Sequence, residues 1–229
     1  MFQEKNTTFA VYKHKHIPNT MKKIFTLAAI ALVMCACNNS SSDNRANKCV
    51  KPLPAGYSAD SLTDCTIPAV FTTDDFDWTA RTLQLKVYSK DLYDTVDIQQ
   101  LTQGDTLVFQ GRTIIVNQVD KTDDGYITVN GGIEQDGADL VPYEGGTYRG
   151  IQPDDHAVYS LLGTAKLPLA SDLVMTDCGT EPDDPIDTIR GNVKDYILKL
   201  NIKDNFNELN TQVLIEGGKI TQINRHWIP

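Results

Sequence analysis

TLQLKVYS, residues 82–89, alternates without a slip, with Leu83, Leu85 and Val87 on one side and Gln84, Lys86 and Tyr88 on the other. Side chains on a strand change face at every residue, so this period puts one face in a core and the other in water. Outward from it the pattern continues. TLVFQGRTIIVNQV (residues 106–119) is two apolar runs around Gln110-Gly111-Arg112, which predicts a tight hairpin, and YITVN (residues 126–130) follows as another strand. TQVLIEGGKITQIN (residues 211–224) places Gly217-Gly218 between two strands, the two-residue loop of type I′ or II′ turns, and the apolar Trp227 just beyond it is expected to pack against the β core. NVKDYILKLNIK (residues 192–203) carries Val193, Tyr196, Ile197 and Leu200 at helical spacing behind Asn192, and it also alternates as a strand would. The helix is the expected form, because Asn192 supplies a start. Strands about 8–12 residues apart with Gly/Asp turns predict a mostly-β fold, an antiparallel sandwich or barrel with one short C-terminal helix.

Before this body the chain reads differently. Met21-Lys22-Lys23 precedes eleven largely apolar residues, Ile24 to Met34, and then LVMCACNN spans Leu32 to Asn39. A basic start, an apolar run and small exit residues make a secretory signal, and the run falls short of the roughly 20 residues that span a bilayer. Ala36-Cys37 at its end resembles the lipobox of bacterial lipoproteins, with Met34 where that family usually has Leu. The resemblance covers Met21 to about Asn39 and implies a diacylglycerol thioether on Cys37 (with acylation such as palmitate), then cleavage before it. Cys35 follows the bulky Met34 and is the poorer candidate. Residues 1–20 read as an upstream extension.

The expected organisation is a signal over residues 1–37, a flexible tether and cysteine loop over 38–65, and a single mostly-β domain over 66–229. NNSSSDNRANK (residues 38–48) has too little apolar area to offset the entropy of ordering. Cys49 and Cys65 enclose fifteen residues, and a bridge between them would stabilise by about 3 kcal/mol in the chain-entropy model. Cys65–Cys178 is the alternative pairing, and spacing does not choose between them.

Removing residues 1–37 takes five lysines and one glutamate from totals of 21 basic and 30 acidic side chains, which leaves −13. Such a surface repels nucleic acid and anionic lipid headgroups. Membrane association is therefore expected through the lipid anchor alone, with a glycan or a protein as the partner. Acidic clusters at Asp74-Asp75-x-Asp77, Asp154-Asp155 and Asp183-Asp184 read as solvated loops. A glycan hydrolase, the competing function, would need two carboxylates facing each other across roughly 5–9 Å.

DKTDDGYITVNG (Asp120 to Gly131) resembles the EF-hand calcium loop, but Thr122 and Gly131 stand where that family has carboxylates, and strands flank it. It reads as a hairpin turn. His156 and His226 offer no metal-ligand spacing, and Cys178 has no basic neighbour to lower its pKa, so neither a metal, a cofactor nor a thiol nucleophile is expected. PYEGGTYRG (Pro142 to Gly150) sets Tyr143, Tyr148 and Arg149 around flexible glycines, where tyrosines stack on a sugar or a partner chain, or cap the edge of a β core. The function expected from the whole is a lipid-anchored envelope protein of the outer membrane, a non-catalytic binding or accessory module. Metabolic labelling with a fatty-acid analogue is expected to mark the wild type and not Cys37→Ser, while Cys35→Ser keeps the label.

Overall fold

The computed structural model describes residues 45–178, 186–200 and 206–228. The signal, Cys37, residues 38–44 and the Asp183-Asp184 pair lie outside them. Among the described residues the elements run β1 (Cys49–Val50), β2 (Cys65–Val70), β3 (Phe76–Asp77), β4 (Thr82–Lys90), β5 (Leu92–Asp94) and α1 (Thr95–Gln99). Then come β6 (Thr106–Phe109), β7 (Arg112–Ile115), β8 (Val119–Lys121), β9 (Ile127–Val129), β10 (Ala138–Tyr143) and β11 (Thr147–Ile151). The chain continues through β12 (Tyr159–Asp177), β13 (Asp187–Arg190), α2 (Val193–Lys199), β14 (Thr211–Glu216) and β15 (Lys219–Arg225). The protein is mostly β, as the alternation predicts, and α2 is the expected helix. Asn192 precedes α2 but makes no side-chain capping bond.

Two cores share this chain. In the larger sheet β12 pairs with β15, β15 with β14, β14 with β2 and β2 with β4, and β4 pairs back with β12, so five strands close on themselves. The inward-facing residues of β4 predicted from alternation, Leu83, Leu85 and Val87, are buried inside, with Ile67, Val213, Ile215 and Ile223 from the neighbouring strands and Val193 and Ile197 from α2. The second core has two walls, the five-stranded β5-β11-β10-β9-β8 sheet and the three-stranded β1-β6-β7 sheet. Tyr93, Tyr148, Leu140 and Val129 face Val50, Leu107 and Phe109 there, and Ile98 of α1 and Leu101 join them. Most pairings are antiparallel, but β1–β6 and β12–β15 are parallel. Both predicted hairpins form with left-handed backbone at the two central positions, Gln110 (φ 52) with Gly111 (φ 72) and Gly217 (φ 56) with Gly218 (φ 72). Those signs match the twist of the flanking strands.

Three expectations are corrected. Residues 45–65 are not a loose tether: Val50 is buried in the second core and Leu62 in the first, and Leu53 N–H donates to Leu92 O at 2.6 Å. Arg45 and the Lys48 backbone N–H both bind Asp105, at 3.2 and 2.8 Å, so the chain is clamped at Arg45–Lys48. Cys49, Cys65 and Cys178 are free thiols, and the Cys49–Cys65 bridge is not formed. Cys49 pairs with Thr106 in the small sheet, whereas Cys65 pairs with Ile215 in the large one. Cys178 lies beside Arg225, which pairs with Thr211 at the far end of β14 from Ile215. Four strand residues span about 13 Å, twice what a disulfide tolerates between Cα atoms. Trp227 was expected in the core, yet it belongs to neither core and keeps 36% of its surface exposed. β15 ends at Arg225, and the last described residues leave the sheet there, with the Trp227 N–H donating to Cys178 Sγ.

Arg225, the last residue of β15, makes a buried ion pair. The guanidinium meets the Asp177 carboxylate through Nε at 2.9 Å and Nη2 at 2.6 Å, and both side chains are shielded from water. Tyr196 of α2 donates its hydroxyl to the same carboxylate at 3.0 Å. Removing one partner strands a charge in the interior, which costs about 3–5 kcal/mol. Asp177→Ala is expected to lower the unfolding free energy extrapolated from urea titration by that amount, and Asp177→Ala/Arg225→Met to recover part of it.

A second buried carboxylate joins the two cores. Asp91 sits between β4 and β5, where one extended stretch passes from the barrel into the smaller sandwich, and it has no exposed surface. Its N–H donates to Val158 O at 2.9 Å and its C=O accepts from Gly150 N–H at 3.1 Å. A Cβ on Gly150 would lie 2.7 Å from the Phe109 ring, so only glycine lets β11 come this close. The carboxylate accepts from the Gln110 N–H at 2.8 Å and the Tyr93 hydroxyl at 3.5 Å. Ser160 is near enough to act on its ionisation, although neither Ser160 Oγ nor Asp91 Oδ1 closes a bond of good geometry. Burial pushes the Asp91 carboxyl above the usual carboxylate range, and the neighbouring Ser160, Gln110 and Tyr93 oppose the rise. The folded state therefore binds this proton more tightly than the unfolded chain. The protonated form stabilises at low pH, and that contribution is lost as pH rises through the folded pKa. Asp91→Asn keeps an acceptor for Gln110 and removes the charge. At neutral pH it is expected to unfold at a urea concentration no lower than wild type, with wild type gaining on it as pH falls toward 4.

Candidate functional site

The Asp91 junction sets the geometry of the loop PYEGGTYRG. β10 and β11 form a hairpin in which Tyr143 opposes Thr147 and Val141 opposes Arg149. Alternation then divides the three residues singled out in this stretch. Tyr148 opposes Tyr93 of β5 and is buried in the second core at 4% exposure, so it is a core-edge tyrosine and not a stacking platform. Tyr143 and Arg149 lie on the opposite face and stay half-buried.

On that face a residue from the barrel reaches them. Lys90 ends β4 just before Asp91, and its Nζ stands 5.0 Å from the Tyr143 ring centroid and 3.3 Å from the phenol oxygen. The Arg149 guanidinium is 5.6 Å from the same centroid and donates to Asp155 O at 3.1 Å. A ring holding two cations by its electron-rich face fixes them without neutralising them. Across the β4–β12 ladder Tyr159 opposes Lys90, and Leu161, 54% exposed, opposes Tyr88. The Tyr159 phenol is raised by burial, then by Tyr143 and Glu208, and held down by Arg149. Tyr88 is raised by burial and then by Glu208. Tyr57 donates to Tyr88 O at 2.7 Å from a phenol pushed up to about 12, chiefly by burial. At neutral pH these phenols keep their protons and are hydrogen-bond donors.

The assembly is thus two cations, one carboxylate and four half-buried phenols, Tyr143, Tyr159, Tyr88 and Tyr57, drawn from β4, β10, β11 and β12, from Glu208 and from the segment before β2. It offers donors and aromatic faces and has no paired nucleophile and base. Sequence reading missed Lys90, Tyr159 and Glu208, which lie 53, 16 and 65 positions from Tyr143. The non-core face of TLQLKVYS was the available signal, since Tyr88 and Lys90 share it.

The other stretches are engaged in turns. Asp75 accepts from Thr72 N–H at 2.7 Å and Asp77 from Ala80 N–H at 2.8 Å, and Asp154 faces His156 Nε2 at 3.6 Å. Asp120–Gly131 is the β8–β9 hairpin, where Asp120 accepts from Gln118 and Asp124 from the Thr122 hydroxyl. His226 is exposed. Among the described residues no group of three or more His, Cys, Asp or Glu is placed to hold a metal ion. Comparison with protein families, with curated proteins and with solved structures finds no match to this chain.

Proposed function

We propose that this chain is a bacterial lipoprotein, anchored through Cys37 in the outer membrane of the cell envelope, whose domain is a non-catalytic module that binds an acidic glycan. The observation that carries the binding role is the Tyr143 ring held between Lys90 and Arg149 on an outward sheet face. Half-buried tyrosines supply flat apolar area and hydroxyl donors at low entropic cost, the combination that suits a sugar ring. In a chain whose net charge is −9, and −13 without residues 1–37, two cations fixed together give a carboxylated sugar a local attraction against the overall charge. Support for the anchor comes from the Ala36-Cys37 lipobox, and among the described residues no helix is long and apolar enough to cross a membrane.

Hydrolysis is the second reading. It would require a pair of opposed carboxylates. Glu208 is the carboxylate within electrostatic reach of the tyrosines, and Asp75, Asp77, Asp91 and Asp177 serve turns or buried contacts.

Affinity electrophoresis of the full chain through gels containing polygalacturonate tests the reading. Retardation is expected there and not with neutral dextran, and Tyr143→Ala/Arg149→Ala should abolish it without lowering the melting temperature by more than a few degrees. Equal mobility in both gels would sink the glycan reading. Release of reducing ends from the polymer would move the choice to the hydrolase.

A further inference from the structure

The long strand β12 changes partner along its length. Through Pro168 it pairs with β4, and from Val174 it pairs with β13 and β15, with the register broken between Leu169 and Val174. At the break Ala170 O accepts from Arg81 Nη2 at 2.6 Å, and Leu169 N–H donates to Arg81 O at 2.8 Å. A cleft of about 220 Å³ opens there. Its walls are Leu169 and Leu173 of β12, Trp78 and Arg81 from the turn between β3 and β4, and Val193 and Lys194 of α2. It shares no residue with the Tyr143 cluster.

The lining has a consistent chemistry. Leu169, Leu173 and Val193 are each less than a tenth exposed, and the Trp78 indole is stacked on Phe76 at 4.6 Å with the rings 1° from parallel. These make a firm apolar bed. Among the described residues the charged groups of the lining are both cations, with no carboxylate, in a chain that carries −13 without residues 1–37. Among the described residues no carboxylate pairs with Arg81 or Lys194. Arg81 uses one of its guanidinium donors on Ala170 O and keeps four. Its backbone is left-handed at φ 53, a state that a long side chain holds only where its surroundings impose it, and such states gather at binding sites.

We infer that this cleft binds a small organic carboxylate with a flat or compact apolar body, the carboxylate on Arg81 and Lys194 and the body against Trp78. Size fits the class. A dry cavity of about 150 Å³ takes benzene, and the remaining room here is about two water volumes of 30 Å³ each, enough for a carboxylate. Arg offers a planar fork that matches the two carboxylate oxygens, and Lys adds a point charge.

Benzoate is the probe, with benzyl alcohol as its uncharged counterpart. The sequence holds two tryptophans, so Trp227→Phe leaves Trp78 as the single emitter. In the full chain carrying that change, benzoate at millimolar concentration is expected to alter Trp78 emission saturably. Benzyl alcohol should bind about tenfold more weakly, the loss that follows removal of one charge-assisted hydrogen bond. Arg81→Gln and Lys194→Gln should each weaken benzoate about tenfold and leave benzyl alcohol unchanged. Lys194 is exposed on α2, so its variant keeps the test open should Arg81→Gln unfold the β12 bend. No saturable response to benzoate, or equal affinity for the acid and the alcohol, would overturn the assignment.

Discussion

Asp91 is the point on which the fold turns. A carboxylate without exposed surface sits where the chain leaves one core for the other, and three segments distant in sequence reach its residue. A buried charge is tolerated only when hydrogen bonds replace its water, and here the β6–β7 turn and Tyr93 supply them. The same backbone bonds set the functional face. Lys90 precedes Asp91 and Gly150 follows Arg149, so the Gly150–Asp91 bond holds the barrel's last lysine beside the sandwich's arginine. The cation pair around Tyr143 is in this sense a by-product of joining two cores through one strand.

The acidic excess of the chain looks at first like a surface property, and much of it is architectural. Asp94 caps α1 by accepting from Val96 and Asp97 N–H groups, Asp105 gathers the amino-terminal segment, and Asp139 binds Thr128 and the Ile133 N–H. Asp64 accepts from Gly217 at the carboxyl-terminal hairpin. Short strands and tight turns leave many backbone N–H groups without a ladder partner, and a short carboxylate side chain is well suited to meet them. Cations are scarce by comparison, which gives weight to a pair of them lining one surface, as Lys90 and Arg149 do around Tyr143.

Local pattern carried the strands, because period two and Gly-containing turns are properties of contiguous residues. Leu83, Leu85 and Val87 were legible as core, and Gln110-Gly111 and Gly217-Gly218 as turns, for that reason. The division into two cores was not legible, since Leu85 and Leu107 look alike and only distant pairing assigns them to different interiors. Residues 45–65 looked loose because their partners lie far away: Val50 opposes Leu107, and Tyr57 binds the backbone of Tyr88. At the site, Tyr143 and Arg149 were visible as residue types, and alternation along β11 alone would have removed Tyr148. Lys90 and Tyr159 come to Tyr143 through the Asp91 junction and the β4–β12 ladder, and neither leaves a mark in the neighbouring sequence.

The clamp of Arg45 and Lys48 on Asp105 has a consequence for reach. Under the proposed anchoring, the span between a lipid on Cys37 and the first fixed residue is eight residues, at most about 29 Å when fully drawn out at 3.6 Å each. A domain on so short a leash sweeps a shallow layer above the bilayer and cannot search the depth of a capsule or the breadth of the periplasm. Its ligand must come to the membrane, and encounters are then set by lateral diffusion and by how densely the anchored copies tile the surface.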